Sequence, residues 1–355
     1  MIVIVGATGF TGQQVARQLI ARGCKVRLTG RNKAKLEKLI GSLGGSFDCV
    51  PIDVTEPASV SAALEPATTV VNCAGPFAEI GEPVVRECVR IGAHYIDTTG
   101  EQEFIRRVYE RYGQEARSKH AALIPACAVE YALADAAAAA LAEQLRPLNS
   151  VEVVYCVHDL RTSKGTKKSA LGAIAAPGFW LENGVLTEVH PASRPRRFSI
   201  PGEKGKLAYA FPGGEVFMLP LHLRPATIST YIVLPMPPFI ASLITTSARL
   251  VLRSPLRRLV TALIDSLPGP GSPEEIESGK FAVLCIGAND SGSGAVLVSA
   301  SDPYRLTAIL AAGVAAHVEV NAPAMFGPLA PSMVAGYRLI QALTEPAGAS
   351  WQMQH

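Results

Sequence analysis

The feature that most constrains the fold is a run of three glycines, spaced three residues apart, directly after a short apolar segment. Residues 3–5 are apolar and typical of a buried strand, and the apolar spacing over 13–22 predicts a helix. Gly6 lets the chain turn tightly, Gly9 lets backbone N–H groups approach a phosphate, and Gly12 lets the helix pack close to the strand. The N-terminus of such a helix also carries partial positive charge.

This strand–turn–helix pattern predicts that the turn binds the pyrophosphate of a dinucleotide. The alternative interpretation is an inert tight turn. Under the first interpretation the residues that line the cofactor are those of the turn, namely Gly6, Thr8, Gly9, Phe10, Thr11 and Gly12.

Strand and helix patterns alternate through residues 1–127. Repeated βα units of this size predict a parallel sheet with helices on both faces. Because crossover connections are right-handed, a doubly wound Rossmann sheet is the expected arrangement.

The pattern changes after Asp135. Apolar, β-branched runs at 281–286 and 294–299 predict an antiparallel hairpin within a mixed sheet. We therefore expect an α/β protein with two domains and terminal helices that pack back on the first domain. The expected boundaries are 1–127 for the Rossmann domain, 128–320 for the mixed α/β domain, and about 321–355 for the returning helices.

Composition excludes several classes of protein. The chain has 355 residues, of which 18% are charged and 48% are apolar, so neither a disordered nor a fibrous chain is expected. A formal net charge of +3 is too balanced for a dedicated nucleic-acid binder. The seven cysteines are dispersed, as expected of free thiols in a reducing cytoplasm. The seven histidines form neither HxxxH nor HExxH, so no metal site is predicted.

The end of the second predicted strand bears on the choice of cofactor. NAD sites usually have an acidic residue there, which accepts a hydrogen bond from the ribose. This chain instead has Arg31, with Lys33 and Lys35 close by. A guanidinium suits a 2′-phosphate by charge and geometry, so NADP(H) is favoured over NAD(H). The alternative is that Arg31 stacks on adenine without discriminating. Asp53, after the third strand, can contact the adenine amine, although an Asx turn or a helix cap explains it equally well.

Two further turns follow the fourth and fifth predicted strands. Ala74, Gly75 and Pro76 form a tight turn that is expected beside the ribose and nicotinamide. Asp97 and Glu101 follow the fifth strand at the same sheet edge, where a reacting substrate would lie, and are the candidate catalytic residues. Both could equally cap the helix that starts near residue 103.

These segments resemble the saccharopine dehydrogenase-like oxidoreductase family, which includes trans-acting enoyl reductases. The resemblance is carried by GATGFTG at 6–12 and by the segment 72–101, and extends to 163–169, 267–275 and 322–327. It implies a Rossmann domain, use of NADP(H) and a second α/β domain that receives the substrate. The chain departs from the family pattern after the sixth strand, where it has Cys-Ala-Val-Glu-Tyr at 127–131.

The resulting hypothesis is an NADPH-dependent oxidoreductase that reduces an enoyl or imine substrate, either a small molecule or an acyl-type compound. The absence of a GxSxG elbow argues against a common hydrolase, and no tyrosine has a lysine four residues on, as short-chain dehydrogenases require. The alternative is a non-catalytic NADP(H)-binding protein associated with a lipid surface. The sequence does not decide the oligomeric state.

Residues 225–248 are uncharged but contain four prolines, so an uninterrupted membrane helix is not expected. Arginines then recur at Arg249, Arg253, Arg257 and Arg258. The 231–264 segment is either an ordinary amphipathic surface element or a basic docking face for an anionic membrane or an acidic carrier protein. We expect a cytoplasmic protein without a targeting leader that can associate peripherally with a membrane.

Overall fold

The computed structural model describes residues 1–158, 176–201, 203–234, 236–252, 254, 260 and 279–354. The chain divides into two compact units. The first unit comprises residues 1–99, 103–132 and 304–344, and the second comprises 100–102, 133–303 and 345–355.

Sixteen strands and eleven α-helices are assigned within the described residues. The strands are β1 (Ile2–Val5), β2 (Val26–Gly30), β3 (Asp48–Pro51), β4 (Thr69–Asn72), β5 (His94–Asp97), β6 (Ala122–Ile124), β7 (Ser150–His158), β8 (Gly178–Glu182), β9 (Val185–Val189), β10 (Arg196–Ile200), β11 (Glu203–Ala210), β12 (Thr227–Val233), β13 (Lys280–Asn289), β14 (Gly292–Ser301), β15 (Gly327–Pro328) and β16 (Ser350–Gln354). The helices are α1 (Phe10–Ala21), α2 (Lys33–Leu43), α3 (Pro57–Leu64), α4 (Phe77–Ile80), α5 (Glu82–Ile91), α6 (Gln102–Ser118), α7 (Val129–Leu145), α8 (Glu215–Met218), α9 (Pro238–Leu252), α10 (Pro303–Val320) and α11 (Pro331–Thr344).

The first unit is built on a seven-stranded parallel sheet in the order β15-β6-β5-β4-β1-β2-β3. Strands β1 and β4 are buried along their whole length, as central strands covered on both faces must be. The register pairs Val5 with Asn72 and Asn72 with Asp97, so β1, β4 and β5 end at one level of the sheet. The predicted doubly wound Rossmann architecture is confirmed.

The second unit contains a nine-stranded mixed sheet whose main path is β10-β11-β12-β7-β13-β14-β16. Strands β7 and β12 are parallel, and the other neighbours on this path are antiparallel. The predicted hairpin is confirmed as β13–β14, paired from Lys280 with Ser301 to Asn289 with Gly292. In the turn, Asn289 Oδ1 accepts hydrogen bonds from the backbone N–H groups of Ser291 and Gly292.

The boundaries of the two units differ from the expected ones at the C-terminal end. Helix α10 falls in the first unit rather than in the second, because its residues from Leu306 to Val318 are largely buried there and Gly313 lies against Leu343 of α11. Within the expected returning segment, α11 does lie in the first unit, whereas β16 pairs with β14 in the second sheet. The short strand β15 extends the first sheet beside β6.

No helix among the described residues is both long and apolar enough to cross a bilayer. Of the 231–264 segment, α9 is described, whereas Arg253, Arg257, Arg258 and the side chain of Arg249 lie outside the described residues. The 163–169 and 267–275 segments also lie outside them.

Candidate nucleotide-binding site

The turn that follows β1 is held by backbone hydrogen bonds. Gly6 has a φ of +79°, a left-handed conformation that a residue with a side chain rarely adopts. The Gly9 N–H donates to the Gly6 carbonyl at 2.9 Å, and the Ala7 N–H donates to the Thr29 carbonyl of β2 at 2.8 Å. Backbone hydrogen bonds therefore tie the turn to the sheet.

Helix α1 packs closely on this turn. A Cβ atom placed on Gly12 would lie 2.2 Å from the Gly6 carbonyl oxygen, so only glycine fits there. Gly9 precedes the helix in an extended conformation (φ −75°, ψ 167°), is exposed, and has no side chain to cap the helix. The first N–H groups of a helix have no intrahelical acceptor. Here they lie beside an open glycine turn, which is the backbone arrangement that binds a pyrophosphate.

Phe10 and Thr11 begin α1, and both are partly exposed. The Phe10 ring packs edge-on against Tyr304 of α10, with ring centroids 5.1 Å apart. Thr8 is anchored through its carbonyl, which accepts from the Gln13 side chain at 3.1 Å. Tyr304 lies near the end of the chain, and no local sequence pattern places it beside the glycine turn.

Arg31 follows β2 and is exposed, as are Lys33 and Lys35. Asn32 caps α2 by accepting a hydrogen bond from the Lys35 N–H at 3.0 Å, which sets where the helix starts after Arg31. The segment between β2 and α2 thus presents cations and no carboxylate. This charge pattern fits a 2′-phosphate better than a free ribose hydroxyl.

Asp53 follows β3 and is exposed. Its Oδ1 accepts from the Thr55 hydroxyl at 2.7 Å and from the Thr55 N–H at 2.9 Å, so it forms the Asx turn that the sequence left open. These bonds lower the pKa of Asp53, and the charge of Arg31 makes a smaller contribution in the same direction. Asp53 and Arg31 therefore lie within electrostatic reach of each other.

The turn after β4 lies against the glycine turn. The Ala74 N–H donates to Asn72 Oδ1 at 3.0 Å, and the buried Asn72 amide in turn donates to the Tyr95 hydroxyl at 3.3 Å. A Cβ atom on Gly6 would lie 3.1 Å from the Cβ of Ala74, which shows how closely the two turns approach. Gly75 and Pro76 continue this turn through a cis peptide bond, and Gly75 is exposed.

Asp97 does not have the accessibility expected of a catalytic carboxylate. It is fully buried, and its Oδ1 accepts from the backbone N–H groups of Thr99 at 2.9 Å and Ala126 at 2.8 Å. Its carbonyl accepts from the Cys127 N–H at 2.7 Å. The side chain therefore braces the loop between β6 and α7. Burial raises the pKa of the Cys73 thiol to about 12, and the charge of Asp97 adds to the shift.

Glu101 directly precedes α6, is partly exposed, and belongs to the short stretch 100–102 that falls in the second unit.

The sequence did not single out a second carboxyl group, that of Glu130. Glu130 is the second residue of α7, is partly exposed, and has a pKa raised to about 7 by burial, against the opposing effect of its own backbone N–H. An acid two residues into a predicted helix usually indicates only a favourable interaction with the helix dipole, so the pattern gave no reason to select it.

No group of three or more histidine, cysteine, aspartate and glutamate side chains with the geometry to hold a metal ion occurs among the residues that the structure describes. The parallel sheet, the open glycine turn after β1 and the second turn beside it define a Rossmann-type dinucleotide-binding unit.

Comparison with known proteins shows which proteins this chain resembles. Residues 2–145 match the saccharopine dehydrogenase NADP-binding domain. Saccharopine dehydrogenase-like oxidoreductases of Mus musculus and Rattus norvegicus are 32% and 29% identical over 232 residues, which is 58% of this chain and 52% of each relative. A trans-acting enoyl reductase of Mycobacterium ulcerans is 30% identical over 131 residues, covering 36% of this chain and 31% of that protein. The chain is thus similar to saccharopine dehydrogenase-like oxidoreductases, the resemblance that its motifs predict, and residues 2–145 carry the match to the NADP-binding domain.

The chain spans about half the length of the mammalian relatives that it matches. Among solved structures, the apo saccharopine dehydrogenase (L-Glu forming) of Saccharomyces cerevisiae aligns with a TM-score of 0.67 at 12% identity, covering 99% of each chain. This likeness concerns the fold, including the second mixed sheet.

Proposed function

We propose that this protein is an NADPH-dependent oxidoreductase that transfers hydride to a carbon–carbon or carbon–nitrogen double bond. The observation that carries the proposal is the exposed, uncapped glycine turn at the carboxyl end of β1, in a unit that matches an NADP-binding domain. When bound there, the reduced nicotinamide supplies the hydride, and the protein supplies orientation and a proton. An enoyl substrate is favoured by the name of the mycobacterial relative, and an imine is the second class.

Preference for NADPH over NADH is part of the proposal and is supported by Arg31. Arg31→Ala should weaken NADPH binding by about 1.5–3 kcal/mol, because one charge-assisted contact to the 2′-phosphate is lost. NADH has no such phosphate, so its affinity should change little. Fluorescence titration with both cofactors measures this, and Lys33→Ala, two residues along, serves as the matched loss of a positive charge. If Arg31→Ala weakened the binding of both cofactors equally, Arg31 would not contact the 2′-phosphate.

The activity itself is tested by NADPH oxidation with crotonyl-coenzyme A as the enoyl probe and 2-methyl-1-pyrroline as the imine probe. Consumption of NADPH that depends on either probe, and is lost in Gly9→Val, supports the proposal. In that variant the branched side chain would occupy the space of the pyrophosphate. Tight NADPH binding with no oxidation by either probe would instead favour a non-catalytic binding protein.

Association with a lipid surface is a second candidate function, and α9 is the observation that favours it. Phe239, Leu243 and Leu250 are 71%, 66% and 69% exposed. At 100° per residue these three positions fall within about 40° of one another, so they form one apolar stripe. Such a stripe on a helix that contains no acidic residue is suited to lie in a membrane interface.

Co-sedimentation with vesicles of phosphatidylcholine and phosphatidylserine tests this association. Replacing the three side chains of the stripe by serine should abolish binding. Replacing Val185 and Leu186, which are also exposed but lie on the β8–β9 hairpin, should leave binding unchanged. Wild-type protein that stays in the supernatant at low salt would dismiss a lipid-surface role.

A further inference from the structure

The loop between β6 and α7 contains a residue with an unfavourable backbone conformation, and hydrogen bonds to Asp97 hold it in place. Ala126 adopts a left-handed conformation with a φ of +59°, which is unfavourable for a residue with a side chain. Its N–H donates to Asp97 Oδ1 at 2.8 Å, and the next N–H, that of Cys127, donates to the Asp97 carbonyl at 2.7 Å. These two bonds hold the strained residue in place, as expected where a loop positions a functional group.

A third bond anchors the other end of the same loop. The N–H of Val129, the first residue of α7, donates to the Thr307 hydroxyl of α10 at 3.1 Å. The residue that follows is Glu130. Three hydrogen bonds from two different elements thus determine where the first turn of α7 lies and where Glu130 is presented.

The loop lies at the functional edge of the sheet. Strand β6 pairs in parallel with β5, and the Asp97 end of β5 is in register with the Asn72 end of β4 and, through it, with the end of β1. The glycine turn, the Ala74 turn and the loop before Glu130 therefore all follow carboxyl ends of strands in one sheet. Ligands of doubly wound sheets bind at this edge.

The environment of the Glu130 carboxyl is distinctive. It is partly open to solvent, yet burial raises its pKa to about 7, whereas a position in the first turn of a helix ordinarily favours the charged form. The titratable groups near it on these segments are Asp97 of β5, Cys127 of the loop, Tyr131 and Asp135 of α7, and Tyr304 and Arg305 of α10. No charged side chain of the described residues contributes to the shift, so desolvation dominates.

We propose that Glu130 is the acid that delivers a proton to the substrate, and that Asp97 is a positioning residue that acts through the β6–α7 loop. This inference rests on the proposed function. As hydride adds to one carbon of the double bond, the O–H bond of Glu130 breaks and its proton forms a new C–H or N–H bond at the other atom of the double bond. The carboxylate that remains takes its next proton from water. A carboxyl that is neutral near pH 7 and reachable by solvent is suited to this role.

The first experiment needs no cofactor and no substrate. Protein labelled with ¹³C at the glutamate carboxyl carbons is titrated by NMR from pH 4 to 9. We expect one glutamate resonance to titrate near pH 7, to be absent in Glu130→Gln, and to persist in Glu103→Gln, an exposed glutamate on α6 that serves as the control. If no glutamate titrates near neutrality, or if that resonance survives in Glu130→Gln, the proposal is overturned.

The positioning role of Asp97 has its own readout. Asp97→Ala removes the acceptor for Thr99 and Ala126, so the Glu130 titration should move towards that of an ordinary glutamate as the loop relaxes. Asp97→Asn retains an Oδ1 acceptor and should restore most of the shift. If the Glu130 titration is the same in folded Asp97→Ala as in the wild type, Asp97 does not position it.

The second experiment separates this inference from the proposed function. Glu130→Gln should bind NADPH with the wild-type dissociation constant, but its kcat with crotonyl-coenzyme A should fall by about 100-fold or more. In the wild type, kcat should decline as the pH rises through the pKa of Glu130, and that decline should vanish in the variant. Wild-type kcat throughout the pH range in Glu130→Gln would refute the proton-donor role. If the wild type oxidises NADPH with neither crotonyl-coenzyme A nor 2-methyl-1-pyrroline, the proposed function fails and the proton-donor role falls with it, even where the titration is observed.

Discussion

Two turns that contain glycine illustrate how differently the two units are held together. In the first unit, the turn at residues 6–12 is held by backbone hydrogen bonds and by one bond from the adjacent Gln13 side chain. Its most exposed residue, Gly9, has no side chain. In the second unit, residues 212–214 form a Pro-Gly-Gly turn that is buried. That turn is held by polar side chains from elsewhere in the unit: Gly213 donates its N–H to the Thr230 hydroxyl at 3.1 Å, and its carbonyl accepts from Gln102 at 2.6 Å.

Gln102 also binds both backbone groups of Phe179, accepting from its N–H at 2.8 Å and donating to its carbonyl at 2.9 Å. Nearby, the buried Glu215 accepts a hydrogen bond from the Tyr155 hydroxyl. Backbone groups of the buried turn are thus satisfied from within the protein, as burial demands. In the proposed function, the exposed turn after β1 offers its helix amides to the cofactor. The two turns are alike in containing glycine, but they differ in exposure and in how their hydrogen-bonding groups are satisfied.

The largest effect is expected when one methyl group is added to the exposed turn. Gly12→Ala should abolish measurable NADPH binding, because its Cβ would meet the Gly6 carbonyl at 2.2 Å and displace the turn. The overpacking should also lower the free energy of unfolding by about 1–3 kcal/mol. Fluorescence titration and urea unfolding measure the two effects.

Gly41→Ala is the matched control, because a Cβ at this exposed position of α2 meets nothing within 4 Å. It should leave NADPH affinity unchanged and stabilise the protein by about 0.5–1 kcal/mol through its helix propensity. Wild-type affinity in Gly12→Ala would show that the close packing of α1 on the turn is not needed for binding.

The opposite test removes the polar side chain that holds the buried turn. Gln102→Leu deletes three hydrogen bonds and should lower the free energy of unfolding by about 2–4 kcal/mol, since the backbone groups of Phe179 and Gly213 lose these partners. The NADPH affinity of the folded variant should stay within about twofold, a change below 0.5 kcal/mol. Gln114→Leu, on the exposed side of the same helix α6, should change neither quantity. A large loss of NADPH affinity in Gln102→Leu would contradict the division of roles between the two turns.

The smallest effect is expected from the dependence of stability on pH at Glu130. Its pKa in the folded protein is about 7, above the ordinary glutamate value of 4.5, so the folded state disfavours the charged form. The contribution of this group to stability is fully present below pH 4.5 and is lost as the pH rises through 7. Between pH 4.5 and pH 8, the free energy of unfolding of Glu130→Gln should therefore rise by about 1–3 kcal/mol relative to that of the wild type. The range allows for the partial solvent exposure of the side chain.

Urea unfolding of both proteins at pH 4.5, 6 and 8 measures this difference. A difference in stability between Glu130→Gln and the wild type that is constant across the three pH values would mean that the carboxyl has an ordinary pKa.

Most of the first unit was predictable because its signals are local. The βα alternation, the glycine spacing and the exposed Arg31 each depend on a few neighbouring residues, and the β13–β14 hairpin follows from two apolar runs joined by a short polar turn. The assignments of α10 to the first unit and of β16 to the second sheet were not predictable in the same way. A helix pattern such as that of residues 304–318 indicates that one face will be buried but not which unit will bury it.

The residues at the sheet edge show the same division. From the sequence alone, the order of strands and helices and the position of the glycine turn were determined, because hydrophobic periodicity and glycine conformation act over a few residues. Only the tertiary structure decided that Asp97 braces a loop, that Tyr304 packs on Phe10, and that Glu130 has a pKa near neutrality. The physical reason is that burial, hydrogen-bond acceptance and desolvation depend on atoms that distant parts of the chain bring together, and carboxyl groups that look alike in the sequence acquire different properties from those surroundings.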